Sequence, residues 1–263
     1  MNLAHIVREV KRRPKPTRWL LSRVLLRTQL CRLIVVQAHG YRVRFYPSEL
    51  SADLWYNPRC RGEDVHFLRS YLRPGDVYVD VGANIGILSL AAALAVGDTG
   101  RVIAFEPHAG IFRFLRANVA LNDFRNVQLH NCAVGNRVGT VGFSSEKSDD
   151  ANRVLPDGAG LRVRMVTLDS TLPTAGEVSL LKIDAEGYEK FILDGAARTA
   201  ERTACLFIEL SPKDLELQGC TPDDVLRWLE DNALGLYRIT APSTIARVTA
   251  ASLRQASQSR CRT

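Results

Sequence analysis

The sequence predicts an α/β fold built on a mostly parallel sheet with helices on both faces. From residue 75 onward, short and continuously apolar runs alternate with segments of helical apolar spacing, and a glycine-rich turn joins the first run to the first helix. Such an alternation is typical of a parallel sheet that is buried on both sides. The chain has 263 residues, 46% of them hydrophobic and 24% charged, which is enough to bury one large core.

The strands are predicted from short runs rich in aliphatic and β-branched residues. They lie at 77–81, 101–106, 127–134, 138–143, 161–167, 178–184, 205–210 and 236–239. The helices predicted from apolar spacing lie at 85–96, 109–122, 188–196 and 222–232. The last of these begins at Thr221-Pro222-Asp223-Asp224, which combines a capping residue, a proline at the first helical position and acids in the first turn. The polar stretch at 144–160 is predicted to be a loop.

The net charge of the chain is unevenly distributed. The whole sequence has 35 basic and 28 acidic side chains, and residues 1–75 hold 15 of the basic ones against 5 acidic ones. The remainder of the chain is therefore slightly acidic. A nucleic-acid enzyme with a basic working surface is disfavoured, whereas a basic N-terminal arm stays open as an alternative.

Residues 19–36 are apolar but contain Arg23, Arg27 and Arg32. A secretory signal needs an uninterrupted apolar core, and a transmembrane helix would bury three arginines in hydrocarbon, so neither is predicted. A basic amphipathic helix is the remaining interpretation. Either its apolar face packs on the body of the protein, or residues 1–36 make a peripheral contact with a membrane surface or a partner.

The six cysteines do not form a recognisable framework. Their positions show no C-x-x-C spacing, so neither a structural zinc site nor a disulfide scaffold is predicted. We expect a reducing, cytoplasmic environment and no metal-ligand cluster of this kind.

The most informative motif is the turn that follows the first predicted strand. It reads Asp80-Val-Gly82-Ala-Asn84-Ile-Gly86 and leads into a helix. Its glycines permit a sharp turn and the close approach of a ligand, and the helix N-terminus offers free N–H groups. Glu106 stands at the end of the second strand, where a carboxylate can bind the ribose hydroxyls of an adenosine. These features fit either a dinucleotide or S-adenosylmethionine.

Two residues of the turn favour S-adenosylmethionine. Asn84 stands where the nicotinamide fingerprint has its second glycine. Asp80 places a carboxylate just before the turn, which suits the ammonium and sulfonium charges of S-adenosylmethionine better than an anionic pyrophosphate. We therefore expect S-adenosylmethionine as the cofactor, with a nicotinamide-dependent oxidoreductase as an alternative.

With these residues in place, the chain resembles the FkbM family of class I S-adenosylmethionine-dependent methyltransferases. The matching stretches are PGDVYVDVGANIGILSL (74–90), VIAFEPHAGIFRFLRANVALN (102–122), VTLDS (166–170), LLKIDAEGYEKFILDGA (180–196) and LFIELSP (206–212). The resemblance implies a Rossmann-like, mostly parallel seven-stranded sheet with helices on both faces and an antiparallel last strand. It also implies transfer of a methyl group to a hydroxyl of a small molecule, commonly a sugar or another natural product.

Carried over to this chain, the resemblance assigns roles to individual residues. The methionine portion of the cofactor would be surrounded by Asp80, Gly82, Asn84 and Gly86. Glu106 would bind the ribose, and Cys132 and Ala133 would flank the adenine. The chain then divides into a basic amphipathic or cap segment (1–73), a methyltransferase domain (74–250) and a tail (251–263) that is expected to be disordered.

Three carboxylates follow two neighbouring strands and are the predicted catalytic residues. Asp184 and Glu186 follow the 178–184 strand, and Glu209 ends the next one. Carboxylates at adjacent strand ends could act as a general base for the acceptor hydroxyl, hold a hard divalent cation, or cap the next helix. Asp184 is the first choice for a role that faces the cofactor or acceptor. The alternative acceptor is a macromolecule such as RNA or a polysaccharide, held by the basic N-terminus.

Overall fold

Helices and strands alternate along the part of the chain that the computed structural model describes, residues 15–145, 152–155, 158–241 and 244–254. The strands are β1 (Val35–Ala38), β2 (Tyr41–Arg44), β3 (Val77–Val81), β4 (Arg101–Phe105), β5 (Val127–His130), β6 (Ala133–Val134), β7 (Gly139–Phe143), β8 (Val154–Leu155), β9 (Leu161–Val166), β10 (Leu180–Ile183), β11 (Leu206–Ile208), β12 (Tyr237–Ala241) and β13 (Thr244–Arg247). The helices are α1 (Pro16–Thr28), α2 (Glu49–Tyr56), α3 (Gly62–Tyr71), α4 (Ile87–Val96), α5 (Ala109–Leu121), α6 (Leu168–Thr171), α7 (Glu189–Asp194), α8 (Ala197–Glu201), α9 (Pro212–Leu217) and α10 (Pro222–Asp231), and a short 3-10 helix covers Leu30–Leu33. The start of the basic segment (1–14) and most of the predicted tail (255–263) lie outside the described residues.

The central sheet consists of parallel strands in the order β11-β10-β3-β4-β5. Strand β3 lies in the middle, and its neighbours β4 and β10 both run parallel to it. The reversal of strand order at β3 brings the carboxyl ends of β3, β4 and β10 to one edge, where open α/β sheets bind ligands. The predicted α/β class with a mostly parallel sheet and surrounding helices is confirmed.

The strand count of this sheet differs from the seven that the resemblance implied. In the described residues five strands share the central sheet, and β6, β9, β7 and β8 form a separate mixed sheet. The reason lies at Asn131 and Cys132, where the chain leaves β5 and β6 turns away to pair with β9. The last strands, β12 and β13, satisfy their backbone groups as an antiparallel pair of their own.

The two faces of the central sheet bury two apolar clusters. On β4, Val102 and Ala104 belong to one cluster and Ile103 and Phe105 to the other, as the two-residue period of a strand requires. Helices α4 and α5 cover the first face, and α7 and α10 cover the second. Helix α4 is almost wholly buried, which explains its Ala- and Leu-rich sequence.

The chain before β3 contributes to the first cluster. Tyr41, Val43, Leu54 and Leu68 are each at most 2% exposed and pack with residues of α4 and α5. The Tyr41 hydroxyl donates a hydrogen bond to the backbone oxygen of Ile87 at 2.7 Å. Most of the predicted cap segment therefore shares a core with the predicted methyltransferase domain.

Helix α1 packs on this body through one face only. Trp19 and Ser22 are buried, and Leu25 and Leu26 pack against a small cluster that contains Cys31, Phe45 and Ala52. Within the described ranges, none of the helices combines the length and the hydrophobicity needed to cross a bilayer.

Candidate active site

The turn between β3 and α4 adopts backbone angles that cause little strain in its residues. Gly82, Asn84 and Gly86 have φ values of +79°, +51° and +97°, in the left-handed region that glycine and asparagine tolerate best. A Cβ on Gly82 would overlap the backbone oxygen of Asp184, so the absent side chain lets the ends of β3 and β10 meet. A Cβ on Gly86 would meet Leu115 of α5 at 2.6 Å, so Gly86 serves helix packing.

Glu106 is held by the backbone of two neighbouring turns. It follows β4, is 7% exposed, and accepts hydrogen bonds from the Asn84 N–H at 3.0 Å and the His108 N–H at 2.8 Å. Each carboxylate oxygen receives one of these bonds. The two donors fix the orientation of the carboxylate beside the glycine-rich turn.

A cavity of about 380 Å³ opens at the carboxyl ends of β3, β4 and β10. Its size is within the range of small-molecule sites. The predicted site residues that line it are Gly82, Asn84, Glu106, Cys132, Ala133, Asp184, Glu186 and Glu209. The structure thus brings together residues predicted for the cofactor and residues predicted for catalysis. Asp80 and Gly86 do not belong to this lining.

One wall of the cavity is apolar. Cys132 and Ala133 lie at the switch from β5 to β6 and are each 4% exposed, and the rings of Phe105 and Phe143 also line the cavity. A planar, weakly polar group such as a purine fits a wall of this kind.

Asp80 lies behind the cavity wall because of its strand register. It is fully buried, and its direct partner on β10 is Lys182, so the two side chains lie on the same face of the sheet. The Lys182 ammonium is 3.2 Å from Oδ1 of Asp80, and the Ser89 hydroxyl donates to Oδ2 at 2.6 Å. The Asp80 carboxylate therefore contacts Lys182 and Ser89, and its contact with the cofactor stays a prediction.

Lys182 is a site residue that sequence reasoning missed. It lines the cavity, donates to the backbone oxygen of Gly82 at 2.8 Å and lies 3.3 Å from Oδ2 of Asp184. Burial opposes its charge, but the carboxylates of Asp80 and Asp184 outweigh burial and raise the pKa of Lys182. The sequence feature that could have indicated Lys182 is a pair of opposite charges inside two otherwise apolar strands, VYVDV and LLKI.

Arg61 brings the N-terminal part of the chain into the site. It stands immediately before α3, lines the cavity, and its Nε lies 2.7 Å from the Asp64 carboxylate. Its other nitrogens lie 3.7 Å from Asp184 and 3.5 Å from Glu209. Sequence reasoning missed this residue because it placed the catalytic machinery after residue 74.

The same oxygen of Asp184 contacts both cations. Oδ2 lies 3.3 Å from Lys182 and 3.7 Å from Arg61. Asp184 therefore links the buried lysine to the more accessible arginine. Glu209 contacts Arg61 from the other side and has a side chain that is 61% exposed.

Unlike Asp184 and Glu209, Glu186 forms no ion pair with Arg61 or Lys182. Its backbone lies in the left-handed region with φ of +49°, and no ion pair to it occurs among the described residues. Burial raises its pKa to about 8, with further contributions from the nearby charges of Asp184 and Asp214. A carboxyl group with this pKa can exchange a proton near neutral pH.

Glu189 organises the turn that presents Glu186. Its Oε1 accepts hydrogen bonds from the N–H groups of Ala185 at 3.0 Å and Gly187 at 3.2 Å. The turn before α7 is thus held by Glu189, whereas the N-cap residue of α7, Tyr188, makes no side-chain capping hydrogen bond.

The next question is whether the carboxylates of the site could bind a metal ion. In the part of the chain that the structure describes, no three His, Cys, Asp or Glu side chains are grouped as ligands for a metal ion. The guanidinium of Arg61 contacts Asp184 and Glu209, two of the three residues considered for a cation.

The residues present fit S-adenosylmethionine by the chemistry of their groups. Glu106 offers a carboxylate to a ribose diol, Cys132 and Ala133 offer an apolar wall to a purine, and the turn at Gly82 offers backbone groups to an amino-acid moiety. Besides Glu106, the acids that line the cavity and could meet an ammonium or a sulfonium are Asp53, Asp184, Glu186 and Glu209.

Comparisons with known proteins point to one family. A family model described as the methyltransferase FkbM domain matches residues 80–235. The 31-O-demethyl-FK506 methyltransferase FkbM of Streptomyces tacrolimicus is 32% identical over 160 residues, which cover 47% of this chain and 60% of that protein. The arsenite methyltransferase of Halobacterium salinarum is 27% identical over 193 residues, which cover 65% of this chain and 46% of that protein. The chain thus spans about half the length of the curated relatives it matches.

Solved structures of methyltransferases are also similar. An S-adenosylmethionine-dependent O-methyltransferase from Thermotoga maritima has a TM-score of 0.41 at 13% identity, over 71% of this chain and 59% of that one. An rRNA methylase from Streptococcus thermophilus has a TM-score of 0.37 at 13% identity, over 60% of this chain and 75% of that one. The family model covers more than half of the sequence, and the chain therefore belongs to the methyltransferase FkbM domain family.

Proposed function

We propose that the protein is an S-adenosylmethionine-dependent methyltransferase that methylates a hydroxyl of a small molecule, such as a sugar or another natural product. The observation that carries the proposal is that one cavity unites Glu106, suited to a ribose, with Glu186, suited to proton transfer. A relative named as a 31-O-demethyl-FK506 methyltransferase supports the choice of a hydroxyl on a small molecule.

The residues around Glu106 would hold the nucleoside. Its carboxylate, already oriented by two backbone N–H groups, accepts hydrogen bonds from ribose hydroxyls. Cys132 and Ala133 pack against the adenine, and the lining includes no acid at this position that could contact the adenine amino group. When bound, S-adenosylmethionine supplies the methyl group from a positively charged sulfonium.

Glu186 is the proposed general base. A neutral hydroxyl is a weak nucleophile, and removal of its proton as the C–O bond forms lowers the barrier. Glu186 in its carboxylate form accepts that proton. Asp184 is less suited to this step because one of its oxygens already contacts Lys182 and Arg61. We assign Asp184 the role of positioning Arg61 at the acceptor side of the cavity.

Residues of the N-terminal part would shape the acceptor side. Leu50 and Asp53 of α2 line the cavity together with Arg61. These side chains come from elements outside the matched family region, which begins at residue 80. Acceptor choice would therefore depend on a part of the chain that the family model does not cover.

The cofactor assignment is tested by equilibrium binding of S-adenosylhomocysteine, the product form of the cofactor. We expect Glu106→Ala to weaken binding about 10- to 100-fold, because hydrogen bonds to a charged group contribute about 1.5–3 kcal/mol. Glu201→Ala, which removes an exposed acid of α8, is the matched control and leaves binding unchanged. Binding of NAD in place of S-adenosylhomocysteine would favour the oxidoreductase alternative and refute the proposal.

The transfer step is tested with a panel of acceptors that contains sugars, other hydroxyl compounds and RNA. Release of S-adenosylhomocysteine is the readout. We expect turnover on a hydroxyl compound, and a loss of about 100-fold or more in Glu186→Gln, with binding of S-adenosylhomocysteine retained. Turnover on RNA alone would instead support the alternative in which the basic N-terminus holds a macromolecular acceptor. The first 14 residues of that N-terminus lie outside the described residues.

A further inference from the structure

The segment around α1 exposes an unusual amount of apolar surface. Six of the twelve large hydrophobic side chains that are exposed in the described residues lie between positions 20 and 35. They are Leu20, Leu21, Val24, Leu30, Leu33 and Val35, with exposed fractions from 42% to 78%. Singly exposed apolar side chains are ordinary, but a concentration of them marks an interaction site.

The helical period gathers three of them on one side of α1. Leu20, Leu21 and Val24 share the side opposite Trp19 and Ser22, which are the buried residues of this helix. The packing of α1 on the body therefore leaves this side to solvent. We define Leu20, Leu21 and Val24, with Leu30 and Leu33 of the following turn, as the outer apolar face.

The charge of the chain segment that carries this face is of one sign. Between residues 10 and 48 the sequence contains no Asp or Glu, whereas it contains ten Lys or Arg residues. Lys15, Arg27 and Arg32 are exposed along the same segment, and the exposed Arg18 places its guanidinium 5.7 Å from the centre of the Trp55 ring of α2. Of the other basic residues near α1, Arg23 is engaged with Glu49 of α2 by two hydrogen bonds of 2.9 and 3.1 Å.

We propose that α1 and the turn after it bind the surface of a membrane that contains anionic lipids. An apolar side flanked by exposed arginines matches the interface, where apolar side chains enter the acyl boundary and basic groups contact lipid phosphates. A second copy of the chain is disfavoured as the occupant, because a two-fold contact would bring the same basic surface against itself. This proposal is independent of the proposed enzymatic function.

The bound helix would be mechanically connected to the candidate active site. The Arg23–Glu49 pair joins α1 to the first turn of α2, and α2 carries Leu50 and Asp53 into the cavity lining. Ala52 of α2 and Phe45 also pack in the cluster beneath α1. Binding of α1 to a surface would therefore be connected through α2 to the part of the cavity wall that Leu50 and Asp53 form.

Co-sedimentation of the full chain with lipid vesicles tests this proposal. We expect binding to vesicles that contain phosphatidylglycerol, weak binding to vesicles of phosphatidylcholine alone, and a loss of binding as salt increases. The double variant Leu21→Glu/Val24→Glu should bind at least about tenfold more weakly, because it removes apolar insertion and adds negative charge. Val138→Glu, at a site that is 64% exposed, is the matched control and binds like the wild type.

A second pair of variants tests the charge contribution. Arg27→Glu/Arg32→Glu should weaken binding to phosphatidylglycerol vesicles, whereas Arg116→Glu on the exposed side of α5 should not. Equal binding by the wild type and both double variants would overturn the proposal. Light scattering provides a further refutation: a wild-type oligomer that Leu21→Glu/Val24→Glu converts to a monomer would assign the outer apolar face to a second copy of the chain.

Discussion

Lys182 and Lys190 offer a comparison between a buried and an accessible ion pair. The Lys182 side chain is 5% exposed and contacts Asp80, which is fully buried, whereas Lys190 pairs with Asp194 one helical turn away at the surface. We predict that Lys182→Met lowers the free energy of unfolding by about 3–5 kcal/mol, because it leaves a buried carboxylate without its cation. Lys190→Met should cost about 0.5 kcal/mol or less. Urea denaturation measures both.

A second substitution tests whether the loss of stability comes from the unpaired carboxylate of Asp80. Lys182→Met/Asp80→Asn removes the buried charge as well as its partner, so it should recover part of the stability lost in Lys182→Met. If Lys182→Met were no more destabilising than Lys190→Met, the buried pair would not be formed in solution.

The raised pKa of Glu186 predicts a pH dependence of turnover. The carboxylate form, which is needed to accept a proton, becomes the main form only as pH rises through about 8. Turnover should therefore increase with pH across this range, and the increase should be absent from the residual activity of Glu186→Gln. The measurement is a pH–rate profile of both proteins at saturating cofactor. A wild-type profile that is flat between pH values of about 6 and 9 would exclude Glu186 as the base.

The same residue predicts a pH dependence of stability with a definite sign. The pKa of Glu186 is raised from 4.5 to about 8 on folding, so the folded state holds this proton more tightly than the unfolded state. The resulting stabilisation is complete below the unfolded pKa and is lost as pH rises through the folded pKa. Glu186→Gln should thus be more stable than the wild type by about 1–3 kcal/mol above pH 8, and equally stable near pH 4. Thermal unfolding at the two pH values checks this.

At the scale of elements, α5 is joined to the hairpin β1–β2 by asparagine side chains. Asn118 is fully buried, accepts from the Arg44 N–H at 3.0 Å and donates to the backbone oxygen of Ile85 at 2.9 Å. Asn122 bonds the N–H and the backbone oxygen of Arg42 at 2.8 and 2.7 Å, but it is partly exposed.

We predict that Asn118→Ala destabilises the protein by about 2–3 kcal/mol, because it removes the partner of the partly buried Arg44 N–H and of the buried Ile85 carbonyl. Asn122→Ala should cost less, since water can replace its hydrogen bonds. Amide exchange of residues 35–44 provides a local readout and should accelerate more in Asn118→Ala. If Asn118→Ala and Asn122→Ala lowered stability equally, the difference in burial between the two asparagines would be contradicted.

The elements themselves were largely accessible to sequence reasoning. The strands at β3, β4 and β10 and the helices α4, α5 and α10 lie within the predicted ranges, because each carries a clear period or a start signal, such as the capping box at Thr221. Strands β7 and β9 on either side of the polar stretch at 144–160 were also predicted, whereas their antiparallel pairing and the short strand β8 inside that stretch were not. The pairing of β6 with β9 was not predicted either, since two residues at the end of an apolar run carry no sign that the chain changes sheets.

At the scale of the whole molecule, the division at residue 73 can be refined. Tyr41, Val43, Leu54 and Leu68 belong to the main core, whereas α1 contacts a small cluster of its own. We propose that residues 1–33 form the separable segment, and that residues 34–73 are part of the folded unit that contains the candidate active site.

Two truncations test this boundary. Removal of residues 1–33 should leave cooperative thermal unfolding and binding of S-adenosylhomocysteine. Removal of residues 1–73 should abolish both, because it exposes the face of α4 that is now wholly buried and removes Arg61 from the cavity. A soluble, cooperatively folded product of the second truncation would restore the boundary at residue 73.

By itself, the sequence determined the α/β class, the glycine-rich turn at Gly82 and the strand-end acids, since these depend on periodicity, composition and spacing within short stretches. Only the tertiary structure decided which charges meet. Lys182 reaches Asp80 through the register of two strands that are distant in the chain, and Arg61 reaches Glu209 across 148 positions. Such contacts depend on the packing of whole elements, which no local pattern records. The same packing decided that Asp80 lies behind the cavity, that Glu186 faces it, and that one side of α1 is left to solvent.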